Sequence, residues 1–310
     1  MAAQRREARA PLATCSIRPL TLAPGDHPRG QGHLSAASGL VCMRGCAYVL
    51  ADDEHHLGHF RAGDAPGVLT RLIEGNLPEA KAARKRRKPD FESLCWLPDA
   101  SASGGSLWGL GSCSRRRRRQ GVMVPLGAQG APDQARVHLF DLQPLCTVLE
   151  REVEDLNIEG CFGFGDRVTL LQRGGRGGEN LALHYHRRDF TALLEGRAKQ
   201  IAPQARSPYA LGRIDGVPLG FTDGAALPDG RWVFTAVAEA SDGAYTDGRC
   251  AGAAVGVVGA EGALQSLHRL AAPLKVEGID ARWRAGGIDI VMVTDADDPD
   301  EPSRLVAARL

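Results

Sequence analysis

Apolar residues along this chain come in short runs, alternating with polar ones or wholly apolar over about four to eight positions, as strands in packed sheets do. "RVTLLQ", "LALHYH", "RWVFTAVA" and "IDIVMVT" are examples. The Asp-Gly of "LPDGRW" and the Gly-Gly of "RAGGID" supply tight hairpin turns between such runs. Two stretches depart from the pattern. "FDLQPLCTVLEREVEDLN" at 140–157 predicts one short helix, and "GNLPEAKAARKRRKPD" at 75–90 is a charged linker with room for a helical turn before Pro89.

The runs are grouped in a repeat. Five units share one grammar: a polar residue, a small residue, a short strand, a turn, an apolar strand, a polar loop and another apolar strand. They begin at Ser38, Glu92, Glu159, Asp223 and Glu277, at intervals of 54, 67, 64 and 54 residues. A four-stranded propeller blade takes ~40–50 residues, so these are blades with generous loops. The expected fold is all-β, a single β-propeller of five or six four-stranded blades forming one domain over residues 1–310. A degenerate sixth blade would occupy the longer intervals or straddle the termini. Residues 1–34 include "ATCSIRPLTL", which is placed to complete a blade with the last strands and close the ring.

Composition adds bounds rather than chemistry. Net charge is +1, so no global field selects nucleic acid or a membrane surface as partner. The 38 glycines and 18 prolines fit a turn-rich, helix-poor fold. No apolar stretch approaches the ~20 residues of a membrane span, and the N-terminus lacks a secretory apolar core. The eight cysteines include no CxxC pair, which removes the usual zinc site. These features describe a soluble, cytoplasmic monomer in a reducing compartment.

In an up-and-down blade the loop entering the first strand and the loop joining strands two and three open on the same face. Glu92, Glu159, Asp223 and Glu277 are therefore expected at the inner rim of one mouth, ringed by "ADDEHH", "CSRRRRRQG", "RGGRGGEN", "EASDGAYTDG" and "DADDPDEPS". Converging carboxylates repel, and need raised pKa values, cationic partners or a metal. A hard cation such as calcium suits oxygen-only ligands; the alternative is that each acid caps its own blade. Glu239, Asp242 and Asp247 form a second candidate cation site on the rim. The run Arg115 to Arg119 reads either as a solvated hairpin loop or as an anion-capturing one, without the extended face that nucleic acid needs. "DADDPDEPSRLV" fails as an EF-hand, having Asp300 at the sixth position and Val306 at the twelfth. His184 and His186 share a strand face, and His55 and His56 an acidic loop, each pair without a third metal ligand.

"KPDFESLCWLPD", "GSLWGLGSCSRRRRRQGVMVPL", "NIEGCFGFGDRVTLLQRGG" and "KVEGIDARWRAGGIDIVMVTDADDPDEPSRL" resemble a group of uncharacterised bacterial propellers, itself similar to esterase-like phytase domains and SdiA-regulated propeller proteins. "TDGAALPDGRWVF" is also similar to strands of gluconolactonase-type propellers. The resemblance implies a calcium-binding propeller acting on phosphate esters, with Glu92, Glu159, Asp223 and Glu277 as metal ligands. Lys88, Arg115 and Arg173 would bind the anion. Departures from that pattern are Ser38 in place of an acid and the missing secretory signal. The functional expectation is a metal-dependent hydrolase for a small anionic ligand, the alternatives being a non-catalytic ligand- or protein-binding propeller and a lactonase.

Overall fold

The computed structural model describes residues 10–174, 178–240 and 249–310. Among these residues twenty-one strands form five sheets, arranged as a five-bladed β-propeller. Strand β1 (Cys15–Pro19) comes first in the chain but belongs to the last blade. Blade 1 is β2 (Ala37–Met43), β3 (Cys46–Ala51), β4 (His56–Arg61) and β5 (Val68–Arg71). After helix α1 (Lys81–Arg87), blade 2 is β6 (Phe91–Leu97), β7 (Ser106–Gly111), β8 (Gln120–Pro125) and β9 (His138–Asp141). Helix α2 (Gln143–Leu149) leads to blade 3, which is β10 (Ile158–Phe164), β11 (Arg167–Gln172), β12 (Asn180–His186) and, beyond α3 (Arg187–Leu194), β13 (Ala205–Tyr209). Blade 4 has a short extra strand, β14 (Arg213–Ile214), leaning on β15 (Val217–Ala226), followed by β16 (Trp232–Ala240), β17 (Arg249–Val258) and β18 (Leu264–Arg269). Blade 5 is β19 (Val276–Arg284), β20 (Gly287–Thr294) and β21 (Arg304–Arg309), with β1 pairing antiparallel to β21 as the outermost strand.

The interior is five cores, one at each interface between neighbouring blades. This follows from the apolar runs, since a strand buried on both sheet faces serves two interfaces at once. The core between blades 2 and 3 also takes in α2 and α3. A disulfide joins Cys113, just after β7, to Cys146 on α2. That pairing was not legible from sequence, because the two cysteines lie 33 positions apart with no spacing motif. No helix among the described residues is long and apolar enough to cross a membrane.

The innermost strands β2, β6, β10, β15 and β19 pack against one another in a closed ring. Each carries a register break, at the second residue in four of them and midway along β15, where one residue is skipped in the ladder. The skipped residues are Ser38, Glu92, Glu159, Thr222 and Glu277. A bulge of this kind frees the residue from pairing and re-aims its side chain. The residue after it meets the neighbouring inner strand: a Cβ on Gly39 would stand 2.9 Å from the Leu94 nitrogen, and one on Gly278 2.9 Å from that of Leu40. The repeated pairing of a polar with a small residue is thus a bulge followed by a close strand crossing.

Candidate functional site

The inner strands run from the bulges, at one end of the channel, to hairpins at the other. The bulge end opens into a cavity of about 1020 Å³, walled by the strand entries and by the loops joining second to third strands. Glu92, Glu159 and Glu277 all line it, as do Lys88, Arg115 and Arg173.

Asp223 does not belong to this group. It is fully buried one residue past the bulge of β15, and Thr222 holds the ring position. The Asp223 carboxylate accepts the Ile279 N–H at 3.0 Å, tying blade 4 to blade 5, and burial raises its pKa well above the usual range. Its room comes from blade 3, where a Cβ on Gly160 would sit 3.0 Å from the Asp223 Cα. The expected fourth acid of the ring is therefore an inter-blade strut. The two ring positions without a glutamate are hydroxyls with matching roles. Ser38 donates to the Phe91 carbonyl at 2.5 Å and Thr222 to the Val276 carbonyl at 2.8 Å, in each case the residue before the next blade's bulge.

Two of the three ring glutamates, Glu159 and Glu277, lie in ion pairs, and Glu92 stands beside a lysine bound to other acids. Glu159 accepts a hydrogen bond from Asn157 Nδ2 at 2.5 Å and pairs with Arg173 at 3.4 Å, whose other nitrogen reaches Glu239 at 2.9 Å. Glu277 lies 3.5 Å from the Lys275 ammonium. Lys275 is shared with Asp297 at 2.6 Å, Asp295 at 3.4 Å and Glu239 at 4.0 Å. Beside Glu92, Lys88 bonds Asp52 and lies 3.1 Å from Asp90, which also pairs with Arg118 at 2.9 Å. Within the arginine run, then, Arg118 braces the site from inside, and Arg119 pairs with Glu150.

Electrostatics follow from this sharing. Burial pushes Glu277 up to about 8: Lys275 and Arg173 oppose the shift, and Glu159 and Glu239 add to it. Burial raises Asp295 to about 7 despite Lys275. Glu92 is raised well above the carboxylate range by burial and by Asp90 and Asp52, with Lys88 opposing. Burial also raises Glu159, against the direct pull of Arg173. For Lys88 and Arg173 burial works against the charge, but the surrounding carboxylates win and raise both.

Among the described residues one group has carboxylate oxygens close enough for a shared metal, Asp52, Asp90 and Glu92, all within 4.8 Å of one another. Glu159 and Glu277 are not part of it. Oxygen donors of this type suit calcium, but the Lys88 ammonium already lies against two of the three carboxylates. The set as arranged fits that ammonium rather than a resident divalent ion. Asp242 and Asp247 of the second candidate cation site lie outside the described residues; Glu239 is bound to Arg173.

Sequence reasoning missed Asp90 and Lys275, and reached Asp52 only as part of the "ADDEHH" mouth loop. Lys275 stands two residues before Glu277 in "KVEG" and Asp90 two before Glu92 in "PDFE". An acid or base two positions ahead of a bulge residue was the available signal. Asp90 has a left-handed backbone, φ 59°, the turn that swings it back beside Glu92.

Residues 33–310 match the model of a family of unknown function, DUF6929. The chain belongs to that family. No curated protein matches it. Among solved structures, an engineered GH43 glycoside hydrolase aligns with a TM-score of 0.51 at 9% identity, over 91% of this chain and 51% of that one. The α-L-arabinofuranosidase PaAbf62A from Podospora anserina aligns with a TM-score of 0.49 at 13% identity, over 97% and 96%. At such identities the likeness to this DUF6929 member is one of fold.

Proposed function

We propose that the mouth is a hydrolytic site in which two glutamates share the work on a neutral, oxygen-rich substrate such as a glycoside or lactone. The observation that carries this reading is the unequal neutralisation of Glu159 and Glu277 around one cavity. Paired carboxyls whose surroundings push their titrations apart are the usual arrangement for acid and base roles. Glu277, pushed up to about 8, holds its proton at neutral pH and donates it to the leaving oxygen. Glu159, with a guanidinium and an amide donor on its two oxygens, is the carboxylate that takes a proton from the attacking water. The water oxygen bonds to the reacting carbon as the old C–O bond breaks.

Charge argues against the phosphate esters that the phytase resemblance implies. The cavity is lined by ten Asp and Glu residues, of which Glu277 and Glu92 hold their protons, against six Lys and Arg, and Lys88, Arg118, Arg173 and Lys275 are already committed to carboxylates. A phosphate would meet net like charge. The glycoside hydrolases with this fold make glycosides a sensible first substrate class to try.

The test is a panel of nitrophenyl glycosides, simple lactones and nitrophenyl phosphate, run on wild type, Glu277→Gln and Glu159→Gln. Turnover of a neutral substrate is expected, lost at least ~100-fold in either variant, with the wild-type rate falling above about pH 8 as Glu277 deprotonates. Turnover of the phosphate alone would overturn the charge argument. Binding of neutral substrates without turnover would make the mouth a recognition site.

A further inference from the structure

On the face opposite the mouth, blades 3 and 4 part around a groove of about 300 Å³. Its floor is aromatic. The Phe162 and Trp232 ring centroids are 5.3 Å apart, and Tyr209 meets Trp232 edge-on at 5.6 Å. Tyr209 is fixed by its hydroxyl, which donates to the Gly262 carbonyl at 2.9 Å. Phe164, 43% exposed, stands at the lip beside Gly230. The three floor rings are themselves buried, so Phe164 is the ring that offers an open face to the C–H side of a sugar ring or another ring system.

Two charged groups around the floor have no ion-pair partner among the described residues, while Arg231 on the same groove is held by Asp229. Arg167, at the start of β11, lines the groove and has no carboxylate partner among the described residues. Glu261, on the opposite wall, has no cationic partner among them either. His184 binds the Thr169 hydroxyl through Nδ1 at 3.0 Å, leaving Nε2 for a ligand. Burial, with Arg167 adding, pushes His184 down to about 4, so its ring is neutral and suited to hydroxyls rather than anions.

We propose that this groove binds a single sugar acid of the hexuronate type. Its ring lies against Phe164 above the buried aromatic floor, its carboxylate on the Arg167 guanidinium, and its hydroxyls against His184 and Glu261. The volume sits at the lower end of small-ligand sites, about 300–1,000 Å³, which suits one ring rather than a chain. One unpaired cation facing one unpaired anion selects a monoanion, because a second negative charge would meet Glu261. The site is independent of the mouth, at the other end of the inner strands.

The experiment is calorimetric titration of the full chain with D-glucuronate and D-galacturonate, with D-glucose and benzoate as comparison probes. Saturable binding of a uronate is expected, stronger than that of glucose or benzoate. Arg167→Gln should weaken it ~10-fold and Phe164→Ala ~5-fold; both positions are exposed, so the fold survives. Glu277→Gln should leave it unchanged. A second readout is the His184 imidazole resonance. A bound carboxylate offsets the Arg167 charge, so its titration midpoint should move up with uronate and stay put with glucose. No saturable uronate binding, binding indifferent to Arg167→Gln, or tighter binding of benzoate would each overturn the proposal.

Discussion

Glu277 is the residue whose protonation the fold most visibly controls. Its folded pKa, about 8, lies above its ordinary value of 4.5, so the folded state holds this proton more tightly than the unfolded chain does. Its contribution is fully present below about pH 4.5 and is lost as pH rises through about 8. Glu277→Gln removes that dependence. The melting temperature of the variant relative to wild type should therefore climb between pH 5 and pH 9, and a flat difference would show that Glu277 titrates normally. Lys275 is the opposite case: Lys275→Met leaves Asp295 and Asp297 without their shared ammonium, while Glu239 keeps Arg173 and Glu277 its proton, and should cost ~3 kcal/mol in denaturant unfolding at pH 7. At this scale the sequence was partly legible. Glu92, Glu159 and Glu277 stood out as polar residues before a small one, whereas Asp223 drew attention by its charge when the bulge residue was its neighbour Thr222. Charge is visible in a sequence; a one-residue register break is not.

At the scale of elements, the inner strands depend on missing side chains. Gly278→Ala places a methyl against the Leu40 backbone and side chain at 2.9 Å, and neither can withdraw without shifting the neighbouring blade. A loss of ~1–3 kcal/mol is expected from urea unfolding, while Gly32→Ala, with nothing within 4 Å, should be near neutral. The alternation and hairpin turns made the blades readable, and the helices around 81–87 and 143–149 were foreshadowed by charged and apolar stretches that break the strand pattern. Helix α3 escaped notice because "RRDFTALL" follows β12 without a turn signal and buries only Phe190, Leu193 and Leu194. Those three residues complete the core between blades 2 and 3, a role set by tertiary packing.

For the whole molecule, two devices hold the ring. The Cys113–Cys146 disulfide anchors the arginine-rich mouth loop to α2, and closing a loop of this length is worth ~3–4 kcal/mol. Reduction, or Cys146→Ala, should lower the melting temperature by several degrees, and an unchanged melt would show the bond to be dispensable. The second device is the pairing of Cys15 with Ala307 and Pro19 with Arg304, reinforced where Arg18 donates to the Gly63 and Ala65 carbonyls of blade 1 at 2.5 Å and 2.8 Å. This pairing has a consequence for synthesis. β1 precedes the other strands of the propeller, yet its partner β21 follows them, so the intervening blades must emerge before the two can meet. Contacts so distant along the chain form slowly. Until then β1 waits without its partner, an open strand edge through which a half-finished propeller would join a neighbour rather than itself.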